Sequence, residues 1–145
     1  MQELPHHYRV TARAGDSGNV VLCSEGLDDM ATAPPAEFGG PGDLWSPESL
    51  LVGAVADCFV LTFRAVARAS RLDWVSLDCA AEGVLERVDR VTRFTRVELV
   101  VSLRIPQGGP VEQAERLLHK AEAGCLITNS MTCEVALACT VEESD

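Results

Sequence analysis

The chain has 145 residues, a mass of 15.6 kDa, 47% hydrophobic residues and a net charge of -10. That length suits one domain with a real core, read here as residues 1–145, and the mixture of apolar residues with both charge signs excludes a disordered tail. The acidic surplus repels phosphate backbones, so nucleic acid and anionic membrane surfaces are excluded as partners.

The start, Met1-Gln2-Glu3-Leu4-Pro5, carries neither a basic segment nor an apolar signal core, and the expectation is a cytoplasmic chain. His7 to Arg13 and Asn19 to Ser24 are rich in β-forming residues and flank Ala14-Gly15-Asp16-Ser17-Gly18, which has hairpin-turn chemistry. Leu27 to Thr32 reads as a third strand. The following stretch, APPAEFGGPGDLW, is a loop because its prolines and glycines exclude regular structure.

A long helix then opens with Ser46 as N-cap, Pro47 in the first helical position and Glu48 at the positive end of the dipole. Arg64, Arg68 and Arg71 suit its other end. Its apolar residues are spread so evenly that most of its circumference is expected to be buried, and its charge-free stretch, Ser49 to Ala56, is too short for a membrane span. Trp74 to Glu86 and Phe94 to Ile105 alternate apolar and polar residues, the signature of long antiparallel strands. After QGGP a second helix presents Leu117, Leu118 and Ala121, and Gly124 stops it. Thr132 to Glu142 alternates again as a last strand.

The six cysteines include no CxxC pair for zinc, and for the cytoplasmic chain expected here no disulfide framework is predicted either. Cys79, Cys133 and Cys139 fall on the apolar faces of strands and read as core residues, and Cys23 is read the same way. Cys58 and Cys125 lie outside the strands. Cys125 follows a helix-stopping glycine, where a new helix can begin and its free N–H groups can lower a thiol pKa. From position alone, both also read as buried structural cysteines.

The order of elements adds a resemblance. Ser46-Pro47-Glu48, Ala56-Asp57-Cys58-Phe59 and Lys120-Ala121-Glu122-Ala123-Gly124-Cys125, with two long strands between the second and third, resemble the OsmC/Ohr family of osmotically inducible and organic hydroperoxide resistance proteins. The likeness runs from about Trp45 to Val141. It implies an α+β fold: an intertwined homodimer with antiparallel sheets wrapped around two long central helices. It also implies a peroxidase for organic hydroperoxides in oxidative-stress defence, with Cys58 as the attacking thiol and Cys125 as the resolving thiol. An external dithiol reductant would reset the pair, and no cofactor or metal is expected.

In the family an arginine activates the thiol and a glutamate orients it. Glu48 matches the glutamate, ten residues before Cys58; over a straight helix that is about 15 Å, and its alternative reading is a first-turn dipole partner. The positions where the family places the arginine read Asp16 and Glu37, leaving Arg13 and Arg93 as other candidates. Phe38, Trp45 and Phe59, with Leu44, read either as the apolar wall of a substrate pocket or as core closing over the helix. The absent arginine keeps a second function open: a non-catalytic protein that binds a small apolar ligand on the same scaffold.

Overall fold

The computed structural model describes the whole chain, Met1–Asp145. Its contacts divide into two compact units, Met1–Leu51 and Val52–Asp145.

The N-terminal unit holds a three-stranded antiparallel sheet in the order β1 (Thr11–Arg13), β2 (Val20–Cys23), β3 (Met30–Thr32). All three strands are shorter than the sequence pattern suggests. Thr11 pairs with Cys23 and Leu22 with Met30, so pairing ends where β2 ends. The Leu27 N–H donates to the Ser24 carbonyl at 3.1 Å, which makes Ser24 to Leu27 a turn and delays the third strand to Met30. The Pro/Gly loop folds back on itself through a short 3-10 turn, Ala36–Phe38, and a side chain at Gly40 would lie 1.7 Å from the Pro34 carbonyl oxygen. Only glycine fits there. The unit buries Thr32, Ala33 and Ser46 but leaves Leu4, Tyr8, Val10 and Leu27 exposed, so it has no apolar core of its own.

Helix α1 (Pro47–Ala69) begins as its sequence requires. The Ser49 N–H donates to Ser46 Oγ at 3.1 Å and the Ser46 N–H to Ser49 Oγ at 2.9 Å, a reciprocal cap that satisfies two donors with no helical partner. The helix passes through Gly53 without a break.

In the C-terminal unit, β4 (Ser76–Val88) and β5 (Val91–Ile105) form the long antiparallel hairpin that the alternation predicts. Helices α2 (Val111–Ala123) and α3 (Leu126–Asn129) then lead to β6 (Glu134–Glu143). Strand β6 lies beside β5 and parallel to it, from Arg96↔Glu134 to Ile105↔Glu143, so the second sheet is mixed where antiparallel pairing was expected throughout. Parallel pairing needs a crossover, and α2 and α3 supply it. Every second residue of β5 from Val97 to Ile105 is buried, in one cluster with Val55, Phe59, Phe63 and Ala67 of α1 and Ala114, Leu117, Leu118 and Ala121 of α2. Phe63 meets Trp74 edge to face at 5.5 Å.

Within one chain, α1 buries only that single stripe. The expectation of burial around most of its circumference is not met: Ala54, Cys58, Leu61 and Ala65 follow each other at helical spacing outside the core, and Leu61 is 52% exposed. By length and composition, with a mean hydropathy of 1.9 in its most apolar window, α1 could cross a membrane. The sequence expectation had excluded a span on its charge-free length; what distinguishes α1 from a lipid-facing helix is its stripe of core residues.

The β4–β5 turn places Asp89 and Arg90 at φ of 51° and 68°. Two successive left-handed residues define the hairpin turn that favours glycine second, and a non-glycine residue there costs about 1–2 kcal/mol. Arg90→Gly is therefore expected to raise stability by about 1 kcal/mol, read as a higher urea midpoint; an unchanged midpoint would show that the turn carries no strain.

Candidate active site

Two of the three sequence-predicted catalytic residues come together in the C-terminal unit. Helix α2 ends at Ala123 with Gly124 as its C-cap, and α3 starts at Leu126, so Cys125 is the α3 N-cap, in extended conformation and 1% exposed. The corner has little room, since a side chain on Gly124 would approach the Lys120 carbonyl to 3.3 Å and the Thr62 methyl to 3.6 Å. It is thereby seated against the middle of α1, beside Cys58.

The first amides of α3 have no partner within so short a helix, and they find the Cys58 sulfur. Burial pushes the Cys58 thiol up, but the Ile127 N–H, the Cys125 thiol, the Thr62 hydroxyl and the Leu126 N–H together outweigh it, and the pKa is lowered from 9.0. Every group that lowers it is neutral. The sequence reading expected α3 amides to act on Cys125; they act on Cys58. Thr62 was missed, although a hydroxyl four residues after the cysteine is the signal that could have found it. It donates to the Cys58 carbonyl at 2.7 Å, and its Oγ1 stands 3.8 Å from Cys58 Sγ.

Beside the sulfur lies a cavity of about 480 Å³, walled by Ala54, Leu61 and Ala65 of α1 and by Leu126 and Ile127. Asp57 is its single charged wall residue and faces the same opening as Cys58. Phe59, expected in a pocket wall, is fully buried in the core instead. Neighbouring helix residues point about 100° apart, so a Cys58 that faces the cavity turns Phe59 inward.

Of the remaining candidates, Phe38, Trp45, Glu48 and Arg13 lie in the N-terminal unit and Arg93 in the C-terminal one. Phe38 and Trp45 are 61% and 53% exposed there. Glu48 sits in the first turn of α1, and its Oε2 is buried with no hydrogen-bond partner within the chain. Arg13 lies near Cys23, whose thiol it lowers slightly. Arg93 pairs across the hairpin with Glu86.

The thiols of Cys79 and Cys139 are shifted the other way. Burial and nearby Cys125 push Cys79 up to about 11, and burial and Glu115 raise Cys139. Cys139 lies 3.8 Å from the Nε2 of His119. A larger groove of about 760 Å³ runs along β1 and is bordered by Cys23, but a hydrogen bond with Asp29 raises that thiol above its ordinary range. Cys23 is half-buried and borders this groove rather than filling a core position. Size favours that groove; chemistry favours the smaller cavity, which alone contains a thiol tuned downward.

These elements place a lowered thiol on a long helix and a second thiol on the crossover of a mixed α+β fold. Residues 40–140 match the family described as OsmC-like protein, and the chain belongs to that family. It is 27% identical over 91% of both chains to the protein YmaD of Bacillus subtilis. It is 26% identical to peroxiredoxin OsmC of Escherichia coli over 63% of this chain and 64% of that one. An organic hydroperoxide resistance protein from Elizabethkingia anophelis shares the fold at 21% identity, with a TM-score of 0.78 over 99% of this chain and 100% of that one.

The shifts fix an order of reactivity. Because the thiolate is the nucleophile, iodoacetamide should label Cys58 first at pH 7, with a rate that levels off at lower pH than for a free thiol, and Cys79 last; site-resolved mass spectrometry reads the order. Equal labelling of the two would contradict the geometry.

Proposed function

We propose that the protein is a thiol-dependent peroxidase that reduces organic hydroperoxides through Cys58 and Cys125, in a role of oxidative-stress defence. The observation that carries this reading is the Cys58 sulfur, tuned downward, in hydrogen-bond contact with Cys125 and open to an apolar cavity. The names of the E. coli and E. anophelis relatives support the same class of chemistry.

The Cys58 thiolate attacks the terminal oxygen of the hydroperoxide. A sulfur–oxygen bond forms, the O–O bond breaks, and the electron pair leaves on the alkoxide, which takes a proton from water. Sulfur is oxidised to the sulfenic acid and the peroxide is reduced to the alcohol. The Cys125 thiol then attacks the Cys58 sulfur, water leaves, and a disulfide forms. An external dithiol reverses it by exchange. The apolar cavity wall suits a substrate with a hydrocarbon substituent.

The working form is proposed to be a homodimer in the cytoplasm. A second apolar stripe on α1, an N-terminal unit without a core and an unpaired buried oxygen on Glu48 each call for a surface beyond one chain, and a second copy supplies it. Glu48 is proposed to orient a donor at that interface. Phe38 and Trp45, exposed within one chain, are proposed to contact substrate.

Cavity walls that are almost wholly apolar also favour a second reading, a carrier of a small apolar ligand without turnover.

Steady-state reduction of cumene hydroperoxide with dithiothreitol separates the two. Turnover should fall to background in Cys58→Ser, and Cys125→Ser should accumulate a Cys58 sulfenic acid that dimedone traps. Wild-type turnover in Cys58→Ser would refute the peroxidase, and a co-purified apolar ligand with no turnover would establish the carrier. Leu61→Glu should shift the protein from dimer to monomer in sedimentation, since it sets two buried charges against each other.

A further inference from the structure

Resting on the peroxidase reading, we propose that Thr62 is a catalytic residue: its hydroxyl turns from the Cys58 carbonyl to the Cys58 sulfur when the thiol ionises, and holds the thiolate for attack on the peroxide.

The hydroxyl has one proton and two acceptors within reach. In the present arrangement it donates to the Cys58 carbonyl oxygen at 2.7 Å, the back-bond common for threonine within a helix. The same oxygen lies 3.8 Å from Sγ. Rotation about the Cβ–Oγ1 bond moves only the hydrogen, so the proton can pass from one acceptor to the other without displacing any heavy atom. The carbonyl of Cys58 keeps its helical N–H partner after the switch, whereas an ionised sulfur gains a donor. The Thr62 methyl faces the Gly124 corner, and Oγ1 lies on the sulfur side.

The surroundings explain why a hydroxyl matters here. No cation borders the cavity, and the titratable groups that face the sulfur are Asp57 on the cavity wall and Cys125 on the corner. A carboxylate at Asp57 offers the sulfur no donor, and Cys125 is consumed when it attacks the sulfenic acid. Thr62 and the two α3 amides are the donors that persist through the first step. Of these, only Thr62 can be removed by side-chain substitution. As the sulfur–oxygen bond forms, negative charge leaves the sulfur for the departing alkoxide, and the hydroxyl is released to return to the carbonyl.

The test uses Thr62→Val, Thr62→Ala and Thr62→Ser in the full chain, with two readouts: the pH dependence of Cys58 alkylation by iodoacetamide, and the rate of Cys58 oxidation by cumene hydroperoxide at pH 7. A hydrogen bond to a charged group is worth about a tenfold change in an equilibrium. The valine and alanine variants should therefore move the alkylation curve up by about one pH unit and slow oxidation about tenfold, while the serine variant stays close to wild type. Wild-type curves in both valine and alanine variants, with circular dichroism unchanged, would overturn the inference. The alkylation readout needs no peroxidase activity: a wild-type protein inert to peroxide whose Thr62→Val curve still shifts would sink the peroxidase reading alone and leave the hydroxyl as the thiolate's donor.

Discussion

Everything distinctive about this site depends on the seating of one corner, Gly124-Cys125, against the middle of α1. The two helices that meet there leave only Gly124 and Cys125 between them, and a side chain at position 124 would crowd the Lys120 carbonyl. With that contact made, one buried thiol and two unpartnered amides converge on the Cys58 sulfur. Without it, Cys58 would be an ordinary cysteine on a helix. The large apolar residues of α1, α2 and β5 set this geometry, because the core they form fixes both helices at once.

Neutral dipoles stabilise a thiolate differently from a nearby cation. A guanidinium acts over a long range and is weakened by salt, whereas N–H and O–H groups act only in contact and do so wherever they are held. A chain with a large acidic surplus benefits from the second arrangement, since its surface would draw a lone cation into other pairings. The same physics separates the six cysteines. Cys79 and Cys139 are half-buried, and burial raises both thiols.

Much of this was legible in the sequence. Alternation over Val97 to Ile105, the Ser46-Pro47-Glu48 start and the Gly124 stop each have one dominant physical reading, and each element stands where that reading puts it. Cys58 and Cys125 stood out because they lie outside the alternating faces. What sequence could not carry was direction. Phe59 and Cys58 are adjacent, and only the core decides which of them turns inward. The amides of Leu126 and Ile127 belong to a helix of four residues, whose donors carry no side-chain signature. Parallel pairing of β6 was hidden for a similar reason: alternation reports which face a residue takes, not which way the strand runs.

That parallel pairing has a consequence for how the protein is made. Strand β6 cannot zip onto β5 from a tight turn; it must be delivered by the α2–α3 crossover after a long loop has closed, and contacts far apart in sequence form late. Cys125 rides on that crossover, so the two thiols meet only near the end of folding. A nascent or damaged chain would hold Cys58 apart from the donors that lower its thiol. Reactivity is in this sense a property of completion, acquired in the same step that closes the sheet.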